Sequence, residues 1–504
     1  MSDHHEIERA YAVDADDVLP DLTAVPGVER VGEATDAVLV ATYVDTDDLA
    51  LVRHGVTLRR RTGGDDAGWH LKIPAGRGRD EVHRPLGRDE VVPAVLARQV
   101  LGWTRGRRLH PVADIETHRT TTLLHAADGG ALAEVADDRV TGRSTDGADP
   151  MSWREVEVEL VGAGLELLDD VDTVLAEAGI RPRAEQRKIG SVLAHRLPPA
   201  RPAPEADATA GRVLHARLAD QVRALLRADS DVRRDVPDGV HQLRVACRRL
   251  RAALATYRPL VDETVTEPVR AELRWLARTL GDGRDAEVVQ ERLRAMVDDL
   301  PRTLVVGPVR RRVERTYADR RRAAATHAAD VLVSRRYLRL LARLDLLVTS
   351  TPWTGTADEP AAVVLRRRVR KDVRRLRQRV ELAEALAATD GAGPAHDEAL
   401  HDVRKAAKRL RYACEVLEPV WGKDAKRLRK AAQAVTQVLG DRQDTAVARA
   451  DLRRIARTAS ASGEGTFTYG VLWGRAEAAG REAEAAFGAA WRKVAADDRR
   501  AWLD

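Results

Sequence analysis

The chain has 504 residues, of which 44% are hydrophobic and 32% are charged, and its formal net charge is +5. This length exceeds that of one typical domain and predicts two or three domains. Two cysteines are too few for a disulfide framework, and neither a secretory signal nor an apolar run that could span a membrane is present, so we expect a cytoplasmic protein without a membrane partner.

Short segments with alternating polar and apolar residues dominate residues 1–196. Such alternation between clusters of Gly, Asp and Pro predicts antiparallel strands. The predicted strands are EIERAYAV, AVLVATYVDT, VTLRRRT, GWHLKIP, ALAEVADDRV and WREVEVEL. Two other segments have helical periodicity: VVPAVLARQVLG, which starts at Val91, and LLDDVDTVLAEAG, in which Gly179 suits the residue after the helix end. We therefore predict an α+β domain.

Carboxylates alternate along two of these strands. Glu6 and Glu8 share one face of the first strand, and Glu155, Glu157 and Glu159 share one face of the last. If these faces line an enclosed space, they suit a hard cation such as Mg²⁺ or Mn²⁺. Basic residues alternate on other strands, where they could hold phosphate oxygens: Arg59, Arg61, Lys72 and Arg119. An open sheet with one solvated polar face is the competing interpretation.

The character of the sequence changes near residue 200. Residues 197–210, LPPARPAPEADATA, are rich in Pro and Ala and lack an apolar period, which predicts a linker. Residues 211–504 have helical periodicity almost throughout, with breaks expected at 351–360 and 389–399. The predicted organisation is thus α+β followed by all-α.

The helical half repeats itself. VHQLRVACRRLRAAL (240–254) matches LHDVRKAAKRLRYAC (400–414), and LGDGRDAEVV (280–289) matches LGDRQDTAVA (439–448). The two motifs stand at nearly the same separation in both copies. We infer a duplicated helical unit with pseudo-twofold symmetry.

Each copy carries a cationic stripe, because steps of three and four residues keep one helix face. The first stripe is His241, Arg244, Arg248 and Arg251, and the second is His401, Arg404, Lys408 and Arg411. Like charges at this spacing repel, so the arrangement favours a bound anion. Two stripes facing each other would form a basic groove for a long polyanion, with Arg as a bidentate phosphate ligand. Solvated helix faces are the competing interpretation.

Nucleic acid is the obvious alternative polyanion. Only 4% of the residues are aromatic, which is low for a platform on which bases stack. The sequence therefore favours a groove that binds a polyanion through its charge and does not recognise bases.

The motifs VHQLRVACRRLRAAL, LGDGRDAEVV, LHDVRKAAKRLRYACEVLEPVWG and LGDRQDTAVA resemble the conserved histidine α-helical domain, CHAD. The resemblance covers about residues 207–500. It implies an internally symmetric helical domain that binds inorganic polyphosphate in a basic pore or groove, and an association with polyphosphate granules.

The segments EIER, TYVDTDDLALVRHGVTLRRRTGGDDAGWHLKIP, ALAEVADDRV and WREVEVEL resemble the CYTH domain over about residues 4–196. The resemblance implies a closed antiparallel barrel of the triphosphate tunnel type and metal-dependent cleavage of a triphosphate or polyphosphate. The implied Mg²⁺ or Mn²⁺ ligands are Glu6, Glu8, Asp138, Glu155, Glu157 and Glu159, and Glu6, Glu8, Glu157 and Glu159 are the implied catalytic residues. The implied phosphate ligands are Arg59, Arg61, Lys72, Arg119 and Lys188.

One position departs from the family pattern. The opening motif ExExK has Ala10 in place of its Lys, and Arg9 should point to the opposite face of the strand. Loss of one charged phosphate ligand can remove about 1.5–3 kcal/mol. Three functions therefore stay open: a metal-dependent triphosphate or polyphosphate hydrolase, a non-catalytic polyphosphate-binding adaptor and, as the weakest, a nucleic-acid-associated basic protein. Nucleotide cyclisation also belongs to this kind of tunnel.

Overall fold

The structure, a computed structural model, describes residues 3–87, 90–183, 187–199, 202–205, 207–390 and 393–503, without the side chains of residues 3, 282–285 and 390. The chain divides into two compact units, Met1–Ala200 and Arg201–Asp504. Residues 200, 201 and 206 of the predicted linker lie outside the described residues, so the linker boundaries stay a prediction.

The first unit is built on one antiparallel sheet. Its strands are β1 (Asp3–Glu6), β2 (Glu8–Val13), β3 (Arg30–Val31), β4 (Thr35–Asp45), β5 (Thr57–Thr62), β6 (Gly68–Ala75), β7 (Gly78–Arg84), β8 (His110–His125), β9 (Ala131–Ser144), β10 (Met151–Leu160) and β11 (Arg181–Pro182). Its helices are α1 (Ala94–Gln99), α2 (Leu101–Thr104), α3 (Glu166–Glu177) and α4 (Lys188–Val192). The predicted strands and both predicted helical segments are confirmed.

The hydrogen-bonded order of the strands is β1-β7-β6-β5-β4-β8-β9-β10-β2-β11, with β3 paired to β8. Among the described strands this is an open path, so the structure establishes a curled antiparallel sheet and does not confirm a closed barrel. β1 pairs with β7 near one end of the path, and β2 pairs with β10 near the other. Only Ile7 separates β1 from β2 in the chain.

The two faces of the sheet differ because the side chains alternate. One face packs on α3, where Tyr11, Val135 and Val156 share a buried cluster with Val171 and Leu175. Gly179 follows the end of α3 with a φ of +83°, as its predicted role after the helix requires. The other face carries the charged residues described below.

The second unit consists of helices: α5 (Ala210–Arg233), α6 (Gly239–Thr256), α7 (Glu263–Thr279), α8 (Gly281–Asp298), α9 (Val309–Val333), α10 (Arg335–Thr349), α11 (Ala361–Asp390), α12 (Pro394–Ala461) and α13 (Phe467–Ala495). The predicted break at 351–360 separates α10 from α11, whereas residues 391 and 392 of the other predicted break lie outside the described residues. Within the described helices, none is long and apolar enough to cross a membrane.

The two copies of the repeat have different helix boundaries. In the first copy, the matched motifs lie on α6 and α8; in the second, both lie on α12, which is kinked at Gly422 (φ 41°, ψ −112°). Arg244 donates a hydrogen bond of 3.2 Å to the carbonyl oxygen of Gly281. Its equivalent, Arg404, lies against Gly440, where an added Cβ would be 3.2 Å from Nη2. In each copy, the second residue of the stripe (Arg244 or Arg404) thus lies next to the glycine that follows Leu280 or Leu439 in the second motif of the same copy.

Candidate metal-binding and polyanion-binding sites

A charged cavity of about 270 Å³ opens in the first unit. Nine of the residues predicted for the site line it: Glu6, Glu8, Glu157, Glu159, Arg59, Arg61, Lys72, Arg119 and Lys188. The lining also includes charged residues that the sequence interpretation missed: His4, Asp66, Arg79, Glu81, Glu134 and Arg187. The structure therefore brings the acids and bases from separate strands into one cavity.

Strand register explains which acids meet. β10 lies between β2 and β9, so Glu159 pairs with Glu8 on one side and with Glu134 on the other. Four residues nearer the start of β10, Glu155 pairs with Asp138. The acids consequently form two groups at different levels of the sheet.

The first group fits a divalent cation. Ligand atoms of His4, Glu6 and Glu159 all lie within 4.8 Å of one another. Burial, a hydrogen bond with Glu81 and the charge of Glu81 raise the pKa of Glu6 to about 8, against the opposing effect of Lys72. Burial also raises the pKa of Glu159 to about 7, and the nearby Glu8 and Glu134 add to this. Carboxylates that resist ionisation in this way gain from a cation between them, and oxygen with imidazole nitrogen is a donor set that Mn²⁺ accepts.

The second group already has protein cations. Asp138, Glu155 and Glu157 also place ligand atoms within 4.8 Å of one another. Lys188 Nζ lies 2.9 Å from Asp138, 2.7 Å from Glu155 and 2.6 Å from Glu157. Arg119 Nη2 lies 2.6 Å from Asp138 and 2.7 Å from Glu157. Partial burial opposes ionisation of Glu157, but the charges of Lys188 and Arg119 hold its pKa well below the ordinary value. Lys188 and Arg119 thus neutralise this group, as Lys72 does Glu6 in the first group, and Asp138 and Glu155 are not among the described lining residues.

The basic residues that line the cavity have polar or acidic partners within the protein. Lys72 Nζ lies 2.6 Å from Glu6 Oε2, Arg59 donates to the Tyr43 hydroxyl at 3.1 Å, and Arg61 pairs with Asp66. Burial and the charge of Arg59 lower the pKa of Arg61 to about 9. Within the described part of the chain, the buried Nε atoms of Arg59 and Arg61 have no hydrogen-bond partner. Both arginines line the cavity, so their guanidinium groups are placed to contact an anion that enters it.

Ala10 occupies the position of the motif Lys at a buried point of the sheet. It is 2% exposed and pairs across the strands with Glu157. Arg9 points to the other face, as predicted, where it donates to the carbonyl oxygen of Leu168 at 3.1 Å and contacts Asp169 at 3.3 Å. The cations beside Glu157 are therefore Lys188 and Arg119, not Arg9.

The two stripes of the second unit approach each other. Burial and the charges of Arg404, Arg248 and Arg411 lower the pKa of Lys408 to about 8. Arg248 is the equivalent of Lys408 in the first copy, so equivalent residues of the two stripes lie near enough to affect each other's charge. His401 is exposed, and burial of part of its ring, Lys405 and Arg404 lower its pKa.

Stripe arginines and flanking arginines differ in their partners. The flanking Arg249 and Arg409 pair with buried carboxylates, at 2.9 Å from Glu415 and 2.8 Å from Asp372. The stripe residues Arg248 and Arg404, in contrast, form no ion pair with a carboxylate among the described residues. The flanking arginines therefore stabilise the fold through ion pairs, whereas Arg248 and Arg404 keep guanidinium groups that a bound anion could pair with.

The geometry defines a two-domain protein: a curled sheet with a charged cavity, and a duplicated helical domain with a basic surface. The CYTH domain model matches residues 4–186, and the CHAD domain model matches residues 216–453. Uncharacterized protein Rv2226 of Mycobacterium tuberculosis H37Rv is 38% identical over 493 residues, which cover 93% of this chain and 92% of the relative. This chain belongs to the family that joins a CYTH domain to a CHAD domain.

Two solved structures are similar to part of the chain. PptA from Streptomyces chartreusis is 25% identical and covers 56% of this chain and 100% of its own, with a TM-score of 0.47. The CHAD domain from the plant Ricinus communis is 23% identical and covers 59% of this chain and 97% of its own, with a TM-score of 0.46.

Proposed function

We propose that the protein binds inorganic polyphosphate through its helical domain and cleaves a triphosphate-type substrate, or the end of a polyphosphate, in the charged cavity. The observation that carries the proposal is the approach of two equivalent cationic stripes, with the Lys408 pKa lowered to about 8. Such mutual repulsion is relieved by a ligand that carries one negative charge after another along its length.

Polyphosphate suits the stripes better than nucleic acid does. Its phosphates follow one another without intervening sugars, so adjacent arginines can each hold oxygens of neighbouring phosphates. Nucleic-acid readers add aromatic platforms for bases, and 4% aromatic residues leave few candidates. The groove therefore favours a polyanion recognised by charge density alone.

In the CYTH domain, we assign the metal to the group of His4, Glu6 and Glu159, with Glu8 next to Glu159 in the register. Bound Mg²⁺ or Mn²⁺ would neutralise phosphate oxygens and lower the pKa of a coordinated water. Arg59, Arg61 and Lys72 hold the phosphate chain, with Lys72 directly beside Glu6. Asp138 and Glu155 fix Lys188, which together with Arg119 stabilises the negative charge that develops on the leaving phosphate.

We also propose that the N-terminal strand closes the tunnel. β1 pairs with β7 and β2 pairs with β10, so the segment Asp3–Val13, in which Glu6 ends β1 and Glu8 begins β2, would bridge the two ends of the sheet as one strand. Both carboxylates would then be held on a strand anchored on each side, which favours a fixed metal geometry.

A non-catalytic polyphosphate adaptor is the second candidate, and Ala10 is the observation that favours it. The structure weakens this argument, because Lys188 and Arg119 already supply cations beside Glu157. We therefore retain hydrolysis as the first proposal for the cavity.

The full chain should release phosphate from tripolyphosphate with Mn²⁺ or Mg²⁺. Glu8→Gln should lower that rate at least about tenfold. Glu116→Gln, which removes an equally charged but exposed carboxylate from β8, should leave it unchanged. An excess of RNA should not displace bound polyphosphate. Full activity of Glu8→Gln would refute the proposed cavity chemistry, and displacement by RNA would favour the nucleic-acid alternative.

A further inference from the structure

Gly440 is buried inside α12, at a point where the backbone does not require glycine. Its φ is not positive, unlike that of Gly422 at the kink of the same helix. Glycine in the interior of a helix is less favourable than alanine, because it loses more conformational freedom on folding. The surroundings of Gly440, rather than its backbone, therefore explain why this position has no side chain.

One arginine occupies the space that a side chain at position 440 would take. An added Cβ would be 3.2 Å from Nη2 of Arg404 and 3.7 Å from its Cζ and Nε, and these are the three nearest heavy atoms outside the local helix backbone. The guanidinium group of Arg404 thus lies directly against α12. Gly211 is a contrasting case: a Cβ there would be 3.0 Å from Cβ of Ala357, so that glycine allows two chain segments to pack closely.

The first copy of the repeat brings the same two residue types together. Gly281 is the equivalent of Gly440, and Arg244 is the equivalent of Arg404. Arg244 donates from Nη1 to the carbonyl oxygen of Gly281 at 3.2 Å. Different atoms make the contact in the two copies, but in each the guanidinium group of the second stripe residue lies beside the glycine. A contact present in both copies points to a role in the stripes.

We propose that Gly440 is a positioning residue of the polyphosphate groove, with Gly281 as its counterpart: the absence of a Cβ lets the guanidinium group of Arg404 lie against α12 and holds it in the stripe. The inference rests on the proposed function of the helical domain. An arginine side chain has many rotamers, and binding a phosphate restricts them at a cost in entropy. A guanidinium group that the fold already holds in place loses less of this entropy and binds more tightly.

Four variants of the full chain test the inference: Gly440→Ala, Arg404→Ala, the two together, and Gly474→Ala. The last is the matched control, because Gly474 lies on α13, which carries no stripe residue, and an added Cβ would have no atom within 4 Å. Both glycine variants exchange a helical glycine for alanine, which favours helix. They differ in whether the new methyl group meets a stripe arginine.

Affinity for long-chain polyphosphate and the melting temperature are measured for each protein. Gly440→Ala should lower affinity about threefold to tenfold, because the displaced guanidinium group makes poorer charge-assisted hydrogen bonds. Its melting temperature should equal or exceed that of the wild type. Gly474→Ala should change affinity by less than about twofold. The double variant should bind as Arg404→Ala does, because the methyl group then has no guanidinium group to displace.

Unchanged affinity in Gly440→Ala, or an additive loss in the double variant, would overturn the inference. If Gly440→Ala lowers the melting temperature, Arg404→Ala in the same chain should restore it, and failure to do so would show that the methyl group meets something other than Arg404. Absence of binding by the wild type would instead refute the proposed function of the helical domain.

Discussion

Lys408 lies close enough to Arg248 for the guanidinium charge to depress its pKa, and the two residues hold equivalent positions in the two copies of the repeat. Burial and three neighbouring arginines together bring the pKa from 10.5 to about 8. Between these values, the unfolded chain binds more protons at this residue than the folded chain does. In the absence of ligand, deprotonation of Lys408 therefore raises the free energy of unfolding as the pH increases from about 8 to 10.5.

Polyphosphate binding should therefore be linked to proton uptake. A polyanion between the stripes favours charged Lys408, so at pH 8.5 the complex should take up protons that the free protein lacks. Calorimetry in two buffers with different ionisation enthalpies measures this uptake. Lys408→Met should bind with less uptake, and identical uptake in both proteins would contradict the placement of the ligand beside Lys408.

Lys188→Met should destabilise the CYTH domain by about 3–5 kcal/mol, because three acids at 2.6–2.9 Å would lose their shared ammonium. Native-state hydrogen exchange of the amides of β9 and β10 reports this change. Lys371→Met, an exposed substitution on α11, is the matched control and should leave exchange in these strands unaltered. Unchanged protection in Lys188→Met would show that Lys188 does not stabilise the acid group.

Much of this arrangement could be anticipated from period-2 alternation. The pattern placed Glu157 and Glu159 on one face of their strand and Arg59 and Arg61 on one face of theirs, and in the structure all four line the cavity. Glu134 could have been found by the same rule, because it alternates with Asp138 along β9. Glu81 could not, because its contact with His70 and Lys72 depends on the register between β6 and β7.

The sequence was less informative about which of the acids pair with basic residues of the protein and which remain available to a metal ion. Asp138 and Glu155 have the same residue types and spacing as the cavity acids, but a short helix 30 residues or more further along the chain supplies Lys188 to both.

The assignment of the metal to the first acid group predicts different effects for two neutralising substitutions. Glu159→Gln should weaken Mn²⁺ binding at least about tenfold, because it removes a ligand from the group with His4 and Glu6. Asp138→Asn should have a smaller effect, since Arg119 and Lys188 already neutralise that residue. Electron paramagnetic resonance titration of Mn²⁺ measures the affinity without turnover. The reverse order of effects would place the metal in the second acid group.

The central claim is that the doubled stripe binds polyphosphate, and the most direct test is the affinity of the purified full chain for long-chain polyphosphate across a salt series. The wild type should bind tightly, with affinity falling steeply as salt rises. Arg244→Ala with Arg404→Ala should weaken binding at least about tenfold and flatten that dependence, whereas Arg321→Ala with Arg322→Ala should not. Wild-type binding that is absent, or that the stripe and control variants alter equally, would contradict the claim and leave both stripes as solvated helix faces.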